Sequence, residues 1–161
     1  MTQQYIITDP CYILPDVTWD RICNECENED YYNGKFDNLV TQALNEIAGT
    51  TNAKASSTGF GDWSNSMHSS DDNKIMQSDF YADSGMVCVV EYTKKFQSKE
   101  TNELIERGGA ALIKTEGDVK IKMNTDDPNW TVVEIDDDTD SFNSCLPFSE
   151  DTDNEEEEDD D

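Results

Sequence analysis

The feature that most constrains the fold is the apolar run at residues 84–92, with the sequence SGMVCVVEY. Successive side chains of an extended chain point to opposite sides, so the run has two apolar sides. One side carries Val87 and Val89, and the other carries Met86, Cys88 and Val90. The density of β-branched residues and the turn residues at 83–85 predict a buried strand. The rest of the chain is expected to cover this strand or to form an acidic appendage.

A short strand is predicted at residues 5–8, and Asp9-Pro10 ends it. Two helices are predicted between this short strand and the apolar run at residues 84–92. The first helix begins at residues 15–16. Its apolar face is formed by residues at helical spacing, namely Trp19, Ile22, Cys23 and Cys26. The second helix has an uninterrupted apolar stripe from Phe36 to Ile47 and stops at Gly49.

The remaining segments are less regular. Residues 50–74 are polar and long for a loop, so part of this stretch is functional, mobile or an unrecognised strand. Residues 98–107 predict a short helix, and residues 110–115 and 119–123 predict a hairpin. Residues 130–135 predict the last strand of the chain.

The predicted fold class is α+β: a largely antiparallel sheet with two N-terminal helices packed on it. Residues 1–135 are expected to form one domain, and residues 136–161 an acidic, flexible tail. The charge distribution favours this division, because residues 124–161 hold 17 of the 37 acidic residues and none of the 11 Lys and Arg residues.

The net charge of −26 bears on the classes of partner. Such a charge repels the phosphates of nucleic acids and of anionic lipids, so neither nucleic acid nor a membrane surface is an expected partner. The expected partners are basic: a nucleic-acid-binding protein, a histone-like protein or polyvalent cations. Without a secretion signal or an apolar segment long enough to span a membrane, the chain is expected in a cytosol.

The cysteines predict reduced thiols. Five of them are present, an odd number, and Cys88 falls inside the predicted central strand. Cys23 and Cys26 form a C-x-x-C pair, a spacing that redox and zinc sites also use. The pair lies on the apolar face of a predicted helix among acidic residues and has no partner pair, so a core position is favoured over zinc or redox chemistry.

Two other patterns were weighed as sites. His68 is the single histidine, and it lies in a Ser-rich stretch without a catalytic signature, which favours a solvated histidine. The alternation of Asp136, Asp138 and Asp140 resembles the start of a calcium loop, but Ser141 and Pro147 occupy the positions that need Gly and Glu. No metal site and no cofactor is therefore predicted.

Three short motifs carry a resemblance: residues 8–13 (TDPCYI), residues 58–62 (TGFGD) and residues 83–85 (DSG). The chain resembles a group of small uncharacterised proteins of bacteriophages and prophages. These share an N-terminal D-P-C-Y motif, a G-x-G-D loop, and an acid-Ser-Gly turn before a hydrophobic strand. The chain departs from this pattern at Trp63 and in its long acidic end. The resemblance implies a phage context and no particular reaction.

The favoured function is that of a phage-type accessory protein, not an enzyme, which binds and modulates or inhibits a basic host protein that acts on nucleic acid or in defence. It could do so as a nucleic-acid mimic. The residues expected to contact the partner are acidic: Asp136, Asp137, Asp138, Asp140, Glu155, Glu156, Glu157, Glu158, Asp159, Asp160 and Asp161. A second expected contact is the loop with Phe60, Asp62 and Trp63.

The alternative is a small metal-dependent hydrolase or nucleotide-binding protein. Its site would gather Asp9, Asp62 and Asp83, with Cys11 nearby, because carboxylates can hold a hard divalent metal ion. The acidic tail could also be only a solubilising segment or an intrachain competitor for a basic patch. These alternatives differ in geometry: the enzyme hypothesis requires the carboxylates to converge on one pocket.

Overall fold

The computed structural model describes residues 2–31, 33–57, 63–69, 78–116, 119–123, 131–136 and 141–145. These residues form an α+β fold, as predicted. Three α-helices are described: α1 (Asp16–Glu25), α2 (Lys35–Ala48) and α3 (Lys99–Glu106). The strands are β1 (Thr2–Thr8), β2 (Lys54–Ser57), β3 (Trp63–Ser69), β4 (Ser78–Ala82), β5 (Met86–Glu91), β6 (Ala111–Glu116), β7 (Lys120–Met123), β8 (Thr131–Asp136) and β9 (Ser141–Cys145).

The strands form two antiparallel sheets. Sheet A has the order β2-β5-β1-β6, and sheet B has the order β4-β3-β9-β8-β7. The predicted central strand is β5, which lies between β2 and β1 in sheet A. Two strand neighbours and buried side chains on both faces explain why this run is continuously apolar.

Sheet A separates two hydrophobic cores. On one face, Met86, Cys88 and Val90 of β5 pack with buried residues of the helices, including Ile22 of α1 and Leu44 of α2. The predicted helix faces are confirmed, and Gly49 ends α2 in the left-handed conformation with φ 76°. We refer to this helix side as the first core.

The second core lies on the opposite face of sheet A. Val87 and Val89 pack there with residues of sheet B, among them Phe80 of β4 and Ile135 of β8. The chain is therefore layered as helices, sheet A and sheet B, with β5 contributing to both cores. The alternation expected for β5 is confirmed, and it assigns each half of its side chains to a different layer.

Part of the polar stretch after α2 is strand, one of the alternatives left open for it, since it contains β2 and β3. Two other expectations about the strands were wrong. The predicted hairpin does not form, because β6 pairs with β1 in sheet A whereas β7 pairs with β8 in sheet B. The strand at residues 130–135 is not the last one, since β9 follows it and pairs with both β3 and β8. A domain boundary after residue 135 would separate two paired strands.

Within the described part of the chain, no helix is both long enough and apolar enough to cross a membrane. Of the predicted acidic tail, Asp136 and residues 141–145 are described, and residues 137–140 and 146–161 lie outside the described residues.

Candidate functional site

The pairing of the strands brings the first and third motifs, and the residues that flank the motif at 58–62, toward one corner of the fold. Residues 83–85 connect β4 of sheet B to β5 of sheet A, and Asp9 directly follows the end of β1. Ser57 pairs with Met86, and Trp63 pairs with Ala82. The residues on both sides of the G-x-G-D loop therefore lie next to the 83–85 connection. We call residues 9–12 together with residues 83–85 the motif corner.

The centre of the motif corner is the carboxylate of Asp9, which is fully buried. Its Oδ1 atom accepts a hydrogen bond from the backbone N–H of Cys11 at 2.9 Å. Its Oδ2 atom accepts from the backbone N–H groups of Asp83 at 2.9 Å and Ser84 at 2.6 Å. The Ser84 hydroxyl lies 2.7 Å from both carboxylate oxygens. Hydrogen bonds of this kind to a charged acceptor are shorter and stronger than those between neutral groups.

The local sequence explains how Asp9 reaches this position. Pro10 has no N–H to satisfy and a preset φ, which suits the first position of the short 3₁₀ turn Pro10–Tyr12. Asp9 caps this turn in an extended conformation, with φ −71° and ψ 128°. On the other side, Gly85 turns the chain into β5 with φ 79°, a region that glycine enters without a steric penalty.

The thiol and the phenol of the motif corner are held in their neutral forms. Burial, followed by the charge of Asp9, raises the pKa of the Cys11 thiol well above its usual range. Burial and then the nearby Asp83 carboxylate likewise raise the pKa of Tyr12. The Tyr12 hydroxyl oxygen is buried close to Asp83 but lacks hydrogen-bonding geometry to any described group. A thiol with a raised pKa is a poor nucleophile, because the thiolate is the reactive form.

An aromatic contact connects the motif corner to the neighbouring strand β4. The rings of Tyr12 and Tyr81 meet edge to face, with their centroids 5.5 Å apart and an interplanar angle of 83°. The Tyr81 hydroxyl accepts a hydrogen bond from Nε of Arg107 at 2.9 Å. The ring contact and this hydrogen bond thus connect the motif corner to the end of α3.

The geometry disfavours Asp9 as a metal ligand. The groups around its carboxylate are N–H and O–H donors, and these satisfy the oxygens that a divalent cation would need. Asp83 is exposed and contributes its backbone N–H, while Asp62 lies outside the described residues. Among described residues, no group of three His, Cys, Asp or Glu side chains is placed to hold a metal ion. Asp9 therefore has a structural role, which is to fix the two connections that meet here.

The C-x-x-C pair packs against the first core, as the core interpretation predicted. Cys23 lies in α1 and Cys26 directly follows it; both are partly buried and, with Cys11 and Cys88, are free thiols. Burial, followed by the charge of Asp20, raises the pKa of Cys23. Burial and then Asp30 raise the pKa of Cys26. Neither thiol has the lowered pKa that a redox-active cysteine needs.

The structure describes only two of the predicted partner-binding residues, Asp136 and Trp63. Asp136 ends β8 and is paired in register with Lys120 of β7. Trp63 opens β3, where its backbone pairs with β4. The others lie outside the described residues: Phe60, Asp62, Asp137, Asp138, Asp140, Glu155, Glu156, Glu157, Glu158, Asp159, Asp160 and Asp161.

A second acidic surface was missed in the sequence, although its charges are visible there. Residues 16–35 carry six acidic residues and two basic ones. Five of the acidic side chains are exposed: Asp16, Asp20, Glu25, Glu27 and Glu29. The two basic side chains are both paired, Arg21 with Glu25 at 3.7 Å and Lys35 with Asp30 at 3.6 Å. We call this the helical acidic surface.

The hydrogen bonds between Asp9 and Ser84 were also missed in the sequence. The available signals were the Asp-Pro step, which is typical of a capped turn, and the Ser-Gly step before β5. Neither indicates which donors come from a distant part of the chain. In comparisons with known proteins, no family model matches the chain, and no curated protein or solved structure shows significant similarity to it.

Proposed function

We propose that this protein is a phage-type acidic accessory protein that binds a basic host protein in the cytosol and modulates or inhibits it. It works by binding and carries out no reaction of its own. The observation that carries the proposal is the net charge of −26, with 17 acidic residues and no Lys or Arg in the last 38 positions.

The described part of the surface is also acidic, which supports the proposal. The helical acidic surface presents its carboxylates to solvent, and its two basic side chains are engaged in ion pairs. Exposed carboxylates of one sign create a field that attracts positively charged surfaces and raises the rate of encounter. The motif corner adds no competing chemistry, because the buried Asp9 carboxylate is occupied by internal donors.

The acidic end gives the proposal a more specific form, mimicry of nucleic acid. Residues 155–161 are seven consecutive acidic residues. In an extended chain each residue advances about 3.3 Å, close to the ~3.4 Å of helix axis per phosphate of one DNA strand, so the segment has a similar linear density of charge. A groove that binds a phosphate backbone with Lys and Arg could therefore attract this segment in the same way. A host protein that acts on nucleic acid is the class of partner that fits best.

The experiment that tests this function is capture from host lysate on the immobilised full chain, followed by elution in steps of increasing salt. The matched control has the same length, with the nine acidic residues after Glu150 replaced by Asn and Gln. We expect a basic, nucleic-acid-binding protein that elutes at moderate salt and is depleted on the control, because counterions screen exposed charges. Equal capture by both chains, or capture that salt does not weaken, would contradict the proposal.

A further inference from the structure

A cleft of about 360 Å³ opens at the end of α3, and none of the motif-corner residues lines it. Its volume is near the lower end of the ~300–1,000 Å³ that ligand pockets span, which suits one side chain better than a large cofactor. We call it the edge cleft. Its lining comes from β4, from the end of α3 and from β6: Asp79, Ile105, Glu106, Arg107, Gly108, Ala110 and Leu112.

The edge cleft lies where the edges of both sheets meet. Strand β4 is the outer strand of sheet B, and β6 is the outer strand of sheet A. The two strands approach each other here, and the backbone N–H of Tyr81 donates to the Gly109 carbonyl at 3.3 Å. An outer strand is the part of a sheet that a partner chain can approach directly.

Two glycines bring the walls of the cleft close together. Gly108 follows α3 with φ 81°, and a Cβ atom at this position would lie 3.6 Å from Cβ of Asp79. A Cβ atom at Gly109 would collide with Leu104 and would lie 2.7 Å from the Tyr81 ring. Because Gly108 and Gly109 have no side chains, the Asp79 side chain can lie beside the turn that ends α3.

The lining combines an apolar wall with an acidic rim. Ile105, Ala110 and Leu112 provide the apolar surface, and Asp79 and Glu106 are exposed carboxylates. Among the described lining residues Arg107 is the cationic one, and its Nε atom donates to the Tyr81 hydroxyl at 2.9 Å. The described rim thus carries two carboxylates beside one guanidinium, within a protein of net charge −26.

This combination matches the chemistry of a long basic side chain. Lys and Arg have an aliphatic stem that packs on apolar surface and a cationic head that stays near carboxylates and water. An anionic ligand would meet the repulsive field of the whole protein as well as the two rim carboxylates. We infer that the edge cleft receives a single Lys or Arg side chain of the basic partner. This inference rests on the proposed function, and it adds a defined contact on the folded domain to the contacts made by the tail.

The test uses small probes in place of the partner. The full chain, labelled with ¹⁵N, is titrated with N-acetyl-lysine amide and N-acetyl-arginine amide, and backbone amide shifts are followed by NMR. Uncharged N-acetyl-norleucine amide and anionic N-acetyl-glutamate amide are the comparison probes. We expect saturable shifts at residues 105–108 and at Ala110 and Leu112 with the two cationic probes. The absence of saturable shifts there would overturn the inference.

Matched variants separate the cleft from general acidity. Glu103 and Glu106 are both exposed in α3, but only Glu106 lines the cleft. We expect Glu106→Gln to weaken the cationic probes about two- to fivefold, the range of an exposed ion pair, and Glu103→Gln to leave them unchanged. Equal weakening by both variants would show nonspecific attraction and would contradict the inference.

The cationic lining residue gives a test of opposite sign. We expect Arg107→Gln to tighten the cationic probes, because it removes a like charge from the rim. Tighter binding of the anionic probe to the native chain, lost in Arg107→Gln, would show a carboxylate pocket and overturn the inference. The tail is intact in all these variants. A failed probe titration beside salt-sensitive capture that needs the tail would therefore reject the cleft and keep the proposed function.

Discussion

The Asp9 carboxylate binds Ser84 twice: Oδ2 accepts from the backbone N–H at 2.6 Å, and the hydroxyl lies 2.7 Å from either oxygen. The two residues are 75 positions apart. This contact joins the segment that follows β1 to the connection between β4 of sheet B and β5 of sheet A. The same carboxylate also accepts from the N–H groups of Cys11 and Asp83, so it joins the two segments through several hydrogen bonds.

The first prediction concerns this carboxylate. Asp9→Asn would place an amide N–H₂ group against buried N–H donors, leaving at least one of them unsatisfied. We expect the free energy of unfolding to fall by on the order of 2–4 kcal/mol, as measured by urea denaturation. The control is Asp16→Asn at an exposed position, where the change should stay within about 0.5 kcal/mol. Equal stability of the two variants would show that Asp9 does not hold the corner.

The second prediction concerns the first core. Leu44 is fully buried in α2, so Leu44→Asp would bury a charge without a partner. We expect a loss of on the order of 4 kcal/mol and a clearly lower melting temperature by circular dichroism. Gln42→Asp introduces the same residue on the exposed side of the same helix and should change little. An unchanged melting temperature for Leu44→Asp would mean that the buried face of α2 is misplaced.

The third prediction is a loss of stability at alkaline pH. Burial raises the pKa of Cys11 and of the fully buried Cys88 above the ordinary thiol value of 9.0. Below pH 9.0 both the folded and the unfolded chain keep these protons, so the stabilisation is fully present there. As the pH rises above 9.0, the unfolded chain releases the protons first. Stability therefore falls, by up to about 1.4 kcal/mol per pH unit for a fully buried thiol.

Urea denaturation at several pH values between neutral pH and pH 10 measures this loss. Cys11→Ser puts a hydroxyl in place of the thiol and so removes one group that titrates in this range, and its decline with pH should be shallower than that of the native chain. A decline as steep as in the native chain would show that the Cys11 thiol titrates alike in both states.

Periodicity explains which elements could be predicted. The stripe of α2 and the alternation of β5 are local signals, and each was sufficient to place its element. Strands β2 and β3 have the sequences KASS and WSNSMHS, without an apolar alternation that would indicate a strand. They are strands because β5 and β4 pair with them, which is information from distant parts of the chain.

The same limit explains the error at the hairpin and what the sequence left open at Asp9. Glu116-Gly117 lies between the two predicted hairpin segments and favours a turn with local pairing, but β6 pairs with β1, where Ala111 lies opposite Ile7. In the structure the Asp83 N–H donates to Oδ2 of Asp9, but the sequence left open whether these two residues converge. It could not show that backbone donors would surround Asp9, because carboxylates in a motif indicate equally a metal ligand and a turn cap.

The fourth prediction tests the central claim, that binding is electrostatic and carried largely by the acidic end. Truncation after Glu150 removes nine acidic residues, namely Asp151, Asp153, Glu155, Glu156, Glu157, Glu158, Asp159, Asp160 and Asp161. The removed segment, residues 151–161, contains no apolar residue that could belong to a core, so the melting temperature should stay similar.

The most direct measurement is the association rate of the purified captured partner with the full and the truncated chain, over a series of salt concentrations. Each exposed pairing contributes only about 0.2–1 kcal/mol, but together they govern encounter. We predict a slower association rate for the truncated chain and a weaker dependence of affinity on salt. The same affinity with the same salt dependence for both chains would contradict the account and make the tail a solubilising segment.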